Sequence, residues 1–163
     1  MKKACVLIVL LACAAPSMLA QPAVDPQKIM AAFSSTIKTG GGEFMVTVLN
    51  DRTIDALFGT SPSRFAIRTR ARMATILFIQ GVAGKEFELK PDVTVVQKGE
   101  TLEGKPSSMK NFTAGKVAKG ATVQGMVELP KKINLYDAFK VVMGGQTAEF
   151  NLNPDDVTDY GNK

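Results

Sequence analysis

Two alternating apolar runs meet at a pair of glycines near the C-terminus. Phe139, Val141 and Met143 precede Gly144-Gly145, and Ala148, Phe150 and Leu152 follow it. Side chains on a strand alternate between faces, so each run gathers its apolar residues on one side. Consecutive glycines supply the positive φ that a tight hairpin turn demands. The pattern predicts an antiparallel hairpin with one buried face, and any fold of this chain must accommodate it.

Similar runs recur upstream at roughly ten-residue spacing, separated by Gly and Pro. Phe44, Val46 and Val48 alternate after Gly40-Gly41-Gly42. Short strands are expected over 86–89 and 93–97, bounded by Gly84, Pro91 and Gly99. Over 122–129, Val123, Val127 and Leu129 share a face, and Gly125 among them marks a bulge or a close backbone approach. Met109–Phe112 reads as an edge segment. Residues 101–104 and Lys105-Pro106-Ser107-Ser108 read as irregular.

Helical signals are fewer. Asp25-Pro26 is a capped start, and Ile29, Phe33 and Ile37 follow at i, i+4, i+8, which predicts a helix over 26–38. Asn50-Asp51 caps a shorter segment in which Ile54, Leu57 and Phe58 share a face before Gly59. The stretch "RFAIRTRAR", Arg64 to Arg72, alternates differently. Phe65, Ile67, Thr69 and Ala71 oppose Ala66, Arg68, Arg70 and Arg72, and an apolar run continues to Ile79. This reads as a long strand over 65–80, bent near 72–74, with its arginines on a wet face. Cross-strand acids such as Glu43, Glu86 or Glu88 are their expected partners.

Recurrent strands with turn signals define a mainly β protein with antiparallel pairing, either a sandwich or a barrel. The segments "FELKPDVTVVQKGE", "GKVAKGATVQGMVELPKK" and "DAFKVVMGGQTAEFNL" resemble the C-terminal half of small exported bacterial immunoglobulin-like β-sandwich proteins. Gly115, Val117, Gly120 and Gly125 match their glycine-flanked strand start, and Phe150 and Leu152 match their terminal F-x-L; the likeness spans about residues 86–152. It implies an antiparallel immunoglobulin-like β-sandwich with a short N-terminal helix, in an exported and mostly uncharacterised class. No site residue carries over.

The N-terminus sets the expected compartment. Lys2 and Lys3 precede the uncharged run "ACVLIVLLA", which has signal-peptide length, and Pro16 and Ala20 follow. Cleavage is expected after Ala20. "LLAC" at Leu10–Cys13 also resembles a lipobox, so acylation of Cys13 is the alternative. The expected organisation is a signal peptide over 1–20, a short helix and Gly-rich linker over 21–42, a β-sandwich domain over 43–153 and an acidic flexible tail over 154–163. The expected location is the periplasm or the exterior, or a membrane surface if Cys13 is acylated. No transmembrane span is expected.

Cleavage leaves 163 − 20 = 143 residues, enough for one domain that buries roughly 68% of its unfolded surface. Both cysteines, Cys5 and Cys13, precede Ala20, so a chain cut there has no thiol and relies on its apolar core. All nine phenylalanines follow Ala20. Net charge falls from +5 to 18 − 15 = +3, which gives no argument for nucleic acid.

The chemistry is bounded by the absence of histidine from the sequence. Histidine-based triads and the usual zinc sites drop out. Ser107 and Lys110 form an S-x-x-K, the one remaining hydrolase pattern, in a Pro-containing loop. Glu86 with Glu88, and Asp155, Asp156 and Asp159, read as solvated acids. No catalytic residue, cofactor or metal is expected. Arg64, Arg68, Arg70 and Arg72 are the candidate binding residues, toward an anionic partner. The chain therefore reads as an exported, non-catalytic binding or envelope-associated module whose partner is a protein or an envelope component. A periplasmic carrier of small apolar ligands is the second reading, and a small Ser-Lys hydrolase the third.

Overall fold

The structure is a computed structural model that describes residues 25–160. Asp25 caps helix α1 (Pro26–Ala32), its carboxylate accepting from the Gln27 amide at 2.9 Å. The helix is shorter than expected. After Phe33 the chain becomes strand β1 (Ser34–Thr39), which forms a hairpin with β2 (Gly42–Val48) in the register Ile37↔Phe44. Ser34, Ser35, Thr36 and Thr39 are weak helix formers, and pairing with β2 takes up their backbone groups. Ile29, Phe33 and Ile37 are all buried, but through a helix-to-strand switch. The segment read as a linker is therefore partly sheet.

Asn50 caps α2 (Asp51–Phe58) as expected, accepting from the Arg52 and Thr53 amides, and Gly59 closes the helix at φ 50°. The largest correction follows. Residues 63–73 are not a strand but helix α3 (Ser63–Met73), and β3 (Ile76–Val82) begins only after Ala74. Arg64, Arg68 and Arg72 also recur every fourth residue, as do Ile67 and Ala71. The stretch is dominated by Arg, Ala and Met, which favour a helix, and only Ile67 and Thr69 are β-branched.

β4 (Phe87–Leu89) pairs with β8 (Gly115–Val117), and β5 (Val93–Gln97) forms a hairpin with β6 (Glu100–Glu103). The segment read as irregular holds β6 and also β7 (Lys105–Lys110), separated only by Gly104. β9 (Thr122–Glu128) lies between β3 and β7. β10 (Phe139–Met143) and β11 (Gln146–Phe150) form the expected hairpin, turning through Gly144 and Gly145 at φ 58° and 75°. The named sheets are antiparallel: five strands in the order β1-β2-β3-β9-β7, four in the order β11-β10-β5-β6, and the pair β4-β8. The fold is mainly β, and the described residues form no closed barrel.

One apolar cluster draws on both large sheets: Val46, Ile79 and Val127 from the five-stranded sheet, Val95, Val141 and Phe150 from the four-stranded one. β3 is buried on both faces. Leu77 and Ile79 join that cluster, while Ile76 and Phe78 join a second one with Ile54 on α2 and Ile67 and Ala71 on α3. Helices α2 and α3 thus cover part of the outer face of the five-stranded sheet. The segment expected to be a flexible acidic tail includes helix α4 (Pro154–Tyr160), and Val157 anchors it in the main cluster. Among the described residues no helix is long and apolar enough to cross a membrane.

Candidate functional site

The helix assigns the arginines a different set of partners. α3 turns Arg64, Arg68 and Arg72 toward α2, where Asp51 and Asp55 stand one turn apart. Arg68 Nη2 lies 2.6 Å from Asp55 Oδ1, and its Nε lies 3.1 Å from Asp51 Oδ1. Arg64 Nη1 is 3.7 Å from Asp55 Oδ1 and donates to the Gly59 carbonyl at 2.7 Å. Arg72 Nη2 reaches Asp51 Oδ2 at 3.4 Å. Arg70 points elsewhere, bonding Glu128 on β9 through Nη2 and through Nε at 2.9 Å. The acids expected as partners are not used: Glu43 pairs with Lys38 at 2.9 Å, and among the described residues neither Glu86 nor Glu88 pairs with an arginine. The four-residue spacing Asp51…Asp55 against Arg64…Arg68…Arg72 carried the helical signal in the sequence. Exposed pairs such as those of Arg70 and Arg72 contribute about 0–1 kcal/mol each, whereas Arg68, its side chain 23% exposed, sits half-buried between the two aspartates at the centre of the network.

The remaining sequence candidates are scattered. Ser107 and Lys110 lie on β7, every residue of which is exposed, and a β-bulge falls between Ser108 and Lys110. Among the described residues no hydrogen bond joins them, whereas Ser108 Oγ accepts from the Phe112 amide at 3.1 Å. A Ser-Lys nucleophile needs that direct contact. Asp155 and Asp156 open helix α4, and among the described residues no group of three acidic, His or Cys side chains is placed to hold a metal. Cys13 lies outside the described residues.

A cleft that residue patterns did not reveal lies where two hairpin turns meet the β4 strand and the loop that follows it. The β1–β2 turn (Thr39, Gly40), the β4 strand with the residues after it, and the β10–β11 turn (Gly144, Gly145) enclose about 550 Å³, open to solvent on one side. Phe87 and Val142 are its partly exposed apolar residues, Leu89 and Met143 lie buried behind them, and Asp92 and Lys90 add charge. The walls are held by local geometry. The Thr39 hydroxyl accepts from the Gly41 amide at 3.2 Å and donates to the Gly42 carbonyl at 3.4 Å. The Phe87 ring lies so close over Gly41 that a Cβ there would sit 2.1 Å from it, and it meets Phe44 at 5.8 Å between centroids. The volume falls within the range of small-ligand sites. The Gly144-Gly145 turn was legible in the sequence, whereas Gly40–Gly42 was read as a helix end and linker and is in fact a hairpin turn, and their convergence depends on how the two sheets pack. No family model, curated protein or solved structure matches the chain.

Proposed function

We propose that the chain is an exported, non-catalytic binding module of the bacterial envelope, an immunoglobulin-like β-sandwich that takes its ligand in the cleft between the turns. The observation that carries this reading is the cleft: Phe87 and Val142, backed by the buried Leu89 and Met143, lie among backbone turns fixed by glycines and by Thr39. Binding residues placed on loops over a rigid sheet scaffold are a common arrangement. Two antiparallel sheets sharing one apolar cluster support the sandwich assignment. The signal-like residues 1–20 support export to the periplasm or exterior, with acylation at Cys13 as the alternative. The apolar floor also favours the second reading, a periplasmic carrier of small apolar ligands.

Native mass spectrometry of the protein purified from its own host tests the reading. A polypeptide beginning at Gln21 with a bound small molecule is the expected result. A diacylated or triacylated mass at Cys13 would move the protein to a membrane surface. Turnover of ester, peptide or phosphoester substrates that S107A or K110A abolishes would replace the binding reading with a hydrolytic one.

A further inference from the structure

The helical layer on the five-stranded sheet carries a second surface, independent of the cleft. α3 buries Ile67 and Ala71, yet Phe65 is 59% and Met73 79% exposed. Residues four apart share a helix face, so Phe65, Thr69 and Met73 form one outward stripe. The Thr69 hydroxyl donates back to the Phe65 carbonyl at 3.0 Å, which makes the stripe less polar than its composition suggests. Arg70 and Arg72 flank it with side chains 46% and 63% exposed. Residues 51–73 contain five arginines against Asp51 and Asp55, and Glu128 adds one more acid, so the surface keeps 5 − 3 = +2. Helix α1 borders the same layer, where Pro26 and Ile29 line a shallow pocket together with Arg52 and Asp55 of α2.

We propose that α3 is a membrane-contact element: Phe65 and Met73 enter the headgroup boundary of an anionic bilayer while Arg70 and Arg72 meet its phosphates. Apolar residues flanked by arginines suit that boundary, and anionic lipid supplies the charge that the aspartates leave unmatched. A second copy of the chain is the poorer occupant, because facing helical layers would oppose like charge.

The sequence contains no tryptophan, so F65W in the full chain gives a single local reporter. V82W, at the opposite end of β3 and also exposed, reports any attachment through the N-terminal segment alone. Vesicles of about one part phosphatidylglycerol to three of phosphatidylcholine should shift the F65W emission to the blue, and brominated lipid should quench it. Pure phosphatidylcholine should do neither, and V82W should stay water-like in both. Adding R70Q and R72Q to F65W should weaken partitioning roughly tenfold, and salt should act in the same direction. Water-like F65W emission with anionic vesicles would overturn the proposal. So would equal quenching of F65W and V82W, equal response to pure phosphatidylcholine, or partitioning indifferent to R70Q and R72Q. A blue shift that rises with protein concentration in the absence of vesicles would overturn it in favour of self-association.

Discussion

At the residue scale, several single positions determine how the sheets meet. Phe139 and Phe150 are direct cross-strand partners, stacked at 4.7 Å with rings 7° apart, and each is 2% exposed. Phe150→Ala removes one ring and leaves a cavity against the other, so a loss of about 3–5 kcal/mol is expected in denaturant unfolding. Gly104 is where the chain steps from the four-stranded to the five-stranded sheet. Its amide donates to the Val93 carbonyl at 2.9 Å, and a Cβ there would sit 2.2 Å from Val127 Cγ1 and 3.1 Å from the Val93 carbonyl oxygen. Gly104→Ala should cost about 1–3 kcal/mol, whereas Gly40→Ala, which meets nothing within 4 Å, should leave the unfolding midpoint near wild type. Lys140 and Glu149 face each other at 2.7 Å, and the lysine's hydrogen bond and charge hold the Glu149 carboxyl below its ordinary range. A depressed carboxyl stabilises above its unfolded pKa, and that contribution is lost as pH falls through the folded value. Carboxyl-resolved NMR titration should therefore show the Glu149 midpoint rising in K140Q, and an unchanged midpoint would remove Lys140 as the cause.

At the element scale, patterns with one consistent period were legible and ambiguous ones were not. The β10–β11 hairpin, β2, β5, β9 and the Asn50-capped α2 all follow from alternation or capping that admits one reading. Gly125 was read as a bulge or a close backbone approach; what comes close is the Phe112 ring, 2.1 Å from where a Cβ would sit. "RFAIRTRAR" satisfies a period of two and a period near four at once, and only the aspartates of α2 and the sheet face beneath Ile67 and Ala71 select the helix. Lys105–Lys110 concealed a strand because it lies at the sheet edge with every side chain exposed, so no buried face marked it. Its Pro106 and lysines suit an edge that must resist further pairing. The α2–α3 network gives its own expectation. Replacing Arg68, Arg70 and Arg72 together by Gln should leave the circular dichroism spectrum unchanged and lower the thermal midpoint by a few degrees, since each exposed pair contributes about 0–1 kcal/mol. High salt should narrow the gap to wild type. Loss of cooperative unfolding in the triple variant would mean that the ion pairs hold the helices in place, not the apolar cluster around Ile54 and Phe78.

At the scale of the whole molecule, the sheets form a scaffold in which two hairpin turns meet β4 and its following loop, and helices cover part of one outer face. The β10–β11 turn was legible in the sequence, but the β1–β2 turn and the meeting of the two were not, because the cleft depends on β1 pairing with β2, on β4 pairing with β8 across 25 intervening residues and on Gly104 carrying the chain between sheets. The most direct test is amide-resolved NMR of the 15N-labelled protein during titration with the small-molecule extract of its own host. Binding in the cleft predicts shifts concentrated at Gly40, Gly144 and Gly145 and at the backbone of Phe87 and Leu89, with α3 and β7 unmoved. Shifts confined to α3 or β7, or no saturable shift at the three turn glycines, would contradict a ligand site between the turns.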